Sequence, residues 1–274
     1  MKDYLSEKKS GDDGTVDTPV PIPNTEVKHR NGDCIRKERV ARCRAFFLLS
    51  FMLYLLYNFC TITKGVGYTM IKELLSYKLN DDKNSYILVK INNSEITNIE
   101  IPEIHNGLPV SEIYDSAFKD CSLLKNVVIP NSIVKIGSYA FYCCESLESI
   151  KIPDSVIYIG EAAFDRCESL KSIIIGKSLT VLEKVLFAIC TSLKSIEIPT
   201  GIKVIEESVF FACQNLQSVT IPSTVTNINE GAFFYCISLE DVYFLGSKKQ
   251  WEEIEIGPFN GNLTEANIHY LGKD

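Results

Sequence analysis

A phenylalanine and a cysteine recur together at a fixed interval of 23 residues, and that period constrains the fold more than any local preference does. The cysteines are Cys121, Cys144, Cys167, Cys190, Cys213 and Cys236. Three residues before each stands Phe118, Phe141, Phe164, Phe187, Phe210 or Phe233, and three after each stands Leu124, Leu147, Leu170, Leu193, Leu216 or Leu239. Three further on comes Val127, Ile150, Ile173, Ile196, Val219 or Val242. Two beyond that is Ile129, Ile152, Ile175, Ile198, Ile221 or Phe244. Five columns held in phase over six units are the mark of a solenoid, in which each unit stacks on its neighbours because it cannot bury its own apolar face.

The chemistry of one unit gives its local shape. Leu170 to Ile175 is rich in β-branched residues and reads as a short strand with Leu170, Ile173 and Ile175 facing inward. The strand ends at Pro130, Pro153, Gly176, Pro199 or Pro222. Proline has no N–H to give a ladder, and glycine turns the chain by another route. A second apolar pair follows, such as Val156 and Ile159 or Val225 and Ile228, on the return side of the coil. The steps Ala140-Phe141, Ala163-Phe164 and Ala232-Phe233 then lead into the cysteine, where a tight helical or 3₁₀ turn is expected. Stacking would bring like residues to about 4.8 Å, the spacing of strands in a sheet. Each buried Leu, Ile or Phe contributes roughly 1.5–3 kcal/mol. Six units therefore hold enough apolar material for a continuous core.

The unit resembles the BspA-like leucine-rich repeat. The residues that carry the resemblance are Ile152-Pro153-Asp154-Ser155-Val156, Ile159-Gly160, Ala163-Phe164, Cys167, Ser169-Leu170 and Ser172-Ile173. It extends over roughly residues 75–270. The fourth unit departs from it, with Gly176 for proline, Glu183 for glycine and Leu186 for alanine, and the fifth has Glu206 and Val209 at the latter two positions. These departures read as drift at turn and core positions. The fold class expected is mostly β with short helical turns: a right-handed leucine-rich-repeat solenoid of about six 23-residue repeats over 110–244. Its N-terminal cap would span 75–109 and its C-terminal cap 245–274. In the first cap, Leu75–Leu79 and Tyr86–Ile91 read as a hairpin, Ile96–Ile101 as the first stacked strand and Glu103–Pro109 as a long turn. In the second, Ser247-Lys248-Lys249-Gln250 is a capping box for a helix carrying Trp251 and Ile254, before a last strand at Ile268-His269-Tyr270.

Residues 1–44 differ in composition. Gly11 to Asn24 is poor in apolar side chains and reads as disordered, and Arg36, Lys37, Arg39, Arg42 and Arg44 form a basic cluster. Ala45 to Thr63 carries no charge. As a helix it would be about 28 Å long, near the hydrocarbon thickness of a bilayer. The expectation is a membrane-spanning helix over 45–63, followed by a spacer over 64–74. Cleavage of this segment as a signal peptide is the competing reading. Cations flank the span on its N-terminal side, which places residues 1–44 in the cytoplasm and the repeats outside. Before position 45 there are 10 basic and 8 acidic residues, against 18 and 27 after it. So acidic a repeat region argues against nucleic acid and anionic lipid as partners.

The residues offer little chemistry. One shared inward position per unit makes the six cysteines a row of unpaired core thiols. A linear row supplies neither facing disulfide partners nor a tetrahedral zinc site. Cys143 is out of phase and is the thiol expected to face outward and react. His29, His105 and His269 are far apart in sequence, with no nucleophile or carboxylate at a recurring spacing. No catalytic, metal or cofactor site is expected, and the chain is read as no enzyme.

Recognition is placed instead on the outward strand columns. One holds Lys125, Glu148, Lys171, Lys194, Gln217 and Glu240; another holds Val128, Lys151, Ile174, Glu197, Thr220 and Tyr243. Between them runs a small polar column, Asn126, Ser149, Ser172, Ser195, Ser218 and Asp241. Tyr243 is the aromatic anchor expected to matter most. The resemblance implies an adhesin-like binding module displayed at the cell surface, with a protein or glycoprotein as partner. A structural spacer of the envelope without a soluble ligand is the alternative, as is the same domain secreted after cleavage.

Overall fold

The computed structural model describes residues 74–273. The tail over 1–44, the span over 45–63 and the spacer short of its last residue lie outside the described residues. Among the described residues no helix is long and apolar enough to cross a membrane.

The described chain is almost all β-strand and turn. It opens with an antiparallel hairpin, β1 (Leu75–Leu79) and β2 (Tyr86–Ile91). β3 (Asn98–Glu100) is the first stacked strand. The segment read as a long turn contains a second hairpin, β4 (Ile104–His105) with β5 (Leu108–Ile113). Asn106 and Gly107 join these strands with φ of 49° and 83°, the backbone twist that suits a two-residue hairpin turn.

Each regular coil then contributes one strand on either side of its phenylalanine turn. On the return side lie β7 (Lys135–Ile136), β9 (Tyr158–Ile159), β11 (Val181–Leu182), β13 (Val204–Ile205) and β15 (Asn227–Ile228). On the side expected to serve recognition lie β6 (Asn126–Val128), β8 (Ser149–Lys151), β10 (Ser172–Ile174), β12 (Ser195–Glu197), β14 (Ser218–Ile221) and β16 (Asp241–Phe244). Neighbouring coils pair in parallel and in register, so Asn126, Ser149 and Ser172 are adjacent, as are Ser195, Ser218 and Asp241. The end is closed by α1 (Lys248–Glu252), β17 (Glu255–Ile256), α2 (Gly261–Thr264) and β18 (Asn267–Tyr270). Ser247 and Gln250 cap α1 reciprocally, and Trp251 packs edge-on against Phe244 at 5.2 Å.

The core consists of the columns. All six ladder phenylalanines are fully buried, and the leucine, cysteine and strand columns are buried with them. Phe118 and Phe141 stack at 4.9 Å with planes 4° apart, and Phe141 and Phe164 at 5.2 Å and 3°. The cysteine column has a polar role as well. Cys144, Cys167, Cys190, Cys213 and Cys236 each donate the thiol proton to the carbonyl of the phenylalanine 26 residues earlier, at 3.1–3.3 Å. That carbonyl already accepts the amide of its own coil's cysteine. The thiol thus fills a second lone pair that would otherwise be buried without a partner.

The turn leading to each cysteine is not the expected helical or 3₁₀ segment. Two residues per coil, five before and one before the cysteine, adopt positive φ: Ser116 and Asp120, Tyr139 and Cys143, Ala162 and Arg166, Val185 and Ile189, Ser208 and Ala212. In the sixth coil the pair is Gly231 and Tyr235. The conformation turns alternate amides away from their own coil. Phe118, Phe141, Phe164, Phe187 and Phe210 donate to carbonyls 22 residues ahead, at 2.8–3.0 Å. The turns therefore form a hydrogen-bonded spine between coils, which a helix closed on its own carbonyls could not provide.

At the last coil no further carbonyl exists for the Phe233 amide. Asn260 takes its place: its Oδ1 accepts from Phe233 at 3.0 Å, and its Nδ2 donates to the carbonyls of Asn229 and Gly257 at 2.9 and 3.0 Å. Asn260 is only 3% exposed.

Candidate interaction face

Alternation along the three-residue strands fixes this face. In β6, β8, β10 and β12 the middle residue is buried and its two neighbours are exposed. The structure brings the twelve sequence-selected residues to the same side. Lys125, Val128, Glu148, Lys151, Lys171, Ile174, Lys194, Glu197, Gln217, Glu240 and Tyr243 are exposed, and Thr220 is half-buried. The apolar residues among them are open: Val128 is 55% exposed and Ile174 is 61% exposed. Between the outer columns the short serine side chains leave the surface low.

The charges on the face are partly paired. Lys171 Nζ lies 2.9 Å from Glu148 Oε2, and its hydrogen bond holds the Glu148 carboxyl below the usual range. Both side chains are solvated, so this rung aligns two coils more than it stabilises them. At one end Asn126 donates to Asn98 at 2.7 Å. At the other, Tyr243 stacks on His269 at 4.8 Å, and His269 Nε2 lies 2.7 Å from Asp241 Oδ1. The histidine thus has a carboxylate neighbour that its sequence position did not suggest. The cap inserted after β16 sets the register offset at 26 residues instead of 23, and His269, opposite Tyr243, reaches diagonally to Asp241.

The return and turn sides carry features that the columns did not single out. Phe211 and Phe234 stack at 6.0 Å, and Phe234 meets Tyr235 and Phe259 edge-on at 5.8 and 5.9 Å. The visible signal was the residue after the ladder phenylalanine, which is phenylalanine only in the last two coils. Two coils before Phe211 that same column holds Asp165. It is 9% exposed, and its Oδ1 has no hydrogen-bond partner. Burial pushes its carboxyl up to about 6, against the pull of the Arg166 guanidinium and amide.

The ladder thiols are inert by position. Burial raises Cys121 to about 11 and Cys236 to about 12, and those between them well above the ordinary thiol value. Cys143, expected to face outward, is half-buried. Its thiol is also raised, mainly by burial, while a hydrogen bond with the Tyr142 hydroxyl pulls the other way. A thiolate is the reactive form, so this shift works against the reactivity expected of it. His105 packs against Tyr77 at 4.0 Å in the hairpin region. Among the described residues no cluster of three His, Cys, Asp or Glu could hold a metal ion.

Six copies of the BspA-type leucine-rich repeat region match this chain, over residues 89–184 and 111–240. The chain belongs to that family. A leucine-rich repeat protein of T. pallidum, TpLRR, is similar in structure with a TM-score of 0.62 and 26% identity, over 74% of this chain and 98% of its own. A leucine-rich repeat protein from Eubacterium ventriosum shares the fold at a TM-score of 0.51 and 23% identity, over 67% of this chain and 48% of its own. No curated protein matches the chain. Repeat domains of this family generally mediate protein interactions and are generally not enzymes.

Proposed function

We propose that this chain is a surface-displayed binding module that takes a protein or glycoprotein partner on its recognition-side strands. The observation that carries the reading is the face itself: Val128, Ile174 and Tyr243 stand exposed beside a low serine column. A flat surface with exposed apolar anchors and a polar surround suits a large, shape-matched partner. It offers rows of side chains and no converging pocket of the kind a small substrate needs. Residues 45–63 would hold the module at a membrane, with the repeats outside and residues 1–44 in the cytoplasm. Adhesion is the role this placement would serve.

Protease treatment of intact cells tests the placement: the repeats should be cut and residues 1–44 protected. The face is tested by binding. Tyr243→Ala is expected to weaken a partner captured on the wild-type domain about 10-fold or more, and Lys171→Ala or Lys194→Ala by less. If all three variants bind every such partner like the wild type, the face is wrongly assigned.

A further inference from the structure

The recognition-side ladder is not one sheet. β3, β6, β8 and β10 form one four-stranded sheet, while β12, β14, β16 and β18 form another. On the return side β9 closes one sheet and β11 opens the next. Both breaks fall at the same level, between the coil of Phe164 and the coil of Phe187.

The hydrogen bonds that flank the strands stop at the same place. Lys171 donates to Glu148, and Gln217 to Lys194, at 2.9 and 2.8 Å. Gly160 donates to Ile136, and Glu206 to Leu182, at 2.8 and 3.0 Å. The equivalent bonds from Lys194 to Lys171 and from Glu183 to Ile159 do not form. The turns that Pro130, Pro153, Pro199 and Pro222 close also lack a counterpart at Gly176. What remains is the turn spine, with one bond at the opposite turn from the Lys177 amide to Asp154 Oδ1 at 3.0 Å. Ala162, Phe164 and Arg166 donate to Lys184, Leu186 and Ala188, and Ser192 donates to Glu168, at 2.9–3.0 Å.

The sequence supplies the cause. A Cβ at Gly137 would fall 2.5 Å from the Asp115 amide nitrogen, and one at Gly160 would fall 2.5 Å from that of Ser138. At these two coils glycine leaves no Cβ between the stacked backbones. Glu183 is the first residue after these glycines to bring a side chain to the interface, and its return strand does not reach the strand of the coil before it. Leu186 adds volume in the buried column that holds Ala140 and Ala163. The ring stack widens on both sides of Phe187, from 5.2 Å at Phe141–Phe164 to 5.7 Å at Phe164–Phe187 and Phe187–Phe210, then returns to 5.1 Å. Glu206 and Asn229 carry side chains there too and still donate to Leu182 and Ile205 at 3.0 and 2.8 Å, so the break marks the level where the column changes from glycine.

We propose that this level is a flexural joint. The coils before it and the coils after it are two stiff blocks, held together at this level by the turn spine and the Lys177–Asp154 bond, and these few bonds break when the blocks part. The joint goes beyond the binding role proposed above and holds whatever the partner is. In a stack where each coil touches only its neighbours, the weakest interface opens first.

Hydrogen exchange on the full chain tests it. The spine amides that cross the joint, Ala162, Phe164, Arg166 and Ser192, are hydrogen-bonded like those of the flanking levels. In a uniform stack all would exchange alike. Opening at the joint makes these four exchange about 10- to 100-fold faster than Phe141 and Ser169 before it and Phe187 and Ile189 after it. Rates equal within about 3-fold would overturn the proposal without any variant. Glu183→Gly restores the glycine column and should bring the four rates down towards their neighbours. Unchanged rates in that variant would refute Glu183 as the cause of the joint.

Discussion

Replacing Asp165 with asparagine should stabilise this protein at neutral pH, which is not the usual result of altering a buried polar group. Asp165 is buried in the turn of the third coil with one carboxylate oxygen unpartnered, and its carboxyl rises from an ordinary 3.8 to about 6. At pH 7 both folded and unfolded chains hold the ionised form, so the folded state carries the whole desolvation penalty. A rise of that size corresponds to about 2–3 kcal/mol. The sign follows from linkage. As pH falls through 6 the folded carboxyl takes up a proton while the unfolded one stays ionised until near 4, so the wild type gains stability over that window. Asparagine has the same shape and does not titrate. Urea melts of both proteins at about pH 7.5, 6.0 and 4.5 should show Asp165→Asn ahead by about 2 kcal/mol at the highest pH. The gap should close towards zero at the lowest. An advantage that does not change with pH, or a destabilised variant at the highest pH, would refute the burial argument.

Two further outcomes follow from the ends and the turns. Asn260→Ala removes the side chain that stands in for a missing coil, leaving the Phe233 amide and two carbonyls buried without it; a loss of about 2–3 kcal/mol is expected, with faster hydrogen exchange at Phe233 before earlier coils. Val185→Asn replaces a β-branched residue at φ 59° with one that tolerates the left-handed region. A gain of about 0.5–1 kcal/mol is expected in the urea-derived stability, and a lower midpoint would show that the half-buried valine matters more than its strain.

The sequence made the stacking legible because a buried column is a local rule repeated. Phe164 and Cys167 had to point inward if Phe187 and Cys190 did. The capping box at Ser247 and the hairpin of Leu75–Ile91 were equally plain, since each is set by neighbouring residues. The Asn106–Gly107 turn was available in the same way, and reading its segment as a long turn overlooked it. The turn conformation was not legible. Val185 and Ile189 are poor candidates for positive φ, and they adopt it because their amides bond to the next coil, a constraint absent from their own unit. The joint was hidden for a related reason. Glu183 and Leu186 are harmless within one coil, and their effect exists only where that coil meets another. On the outward strand face, the 23-residue columns identified the twelve outward positions. The Tyr243–His269–Asp241 group depends on how the C-terminal cap returns to the sheet, and the 23-residue spacing carries no information about that path.

The larger residues of the fourth and fifth coils bear on how the chain finds its order. A stack of interchangeable units invites misalignment, because a coil that skips its neighbour meets the same phenylalanine, leucine and cysteine one level away. Leu186 and Val209 take the place of the alanines at 140, 163 and 232. A skipped level would set these bulky side chains against surfaces shaped for a methyl group, or leave a hole where they belong. They number the rungs of an otherwise uniform ladder, so that out-of-sequence assembly carries a steric penalty from the first mistaken contact.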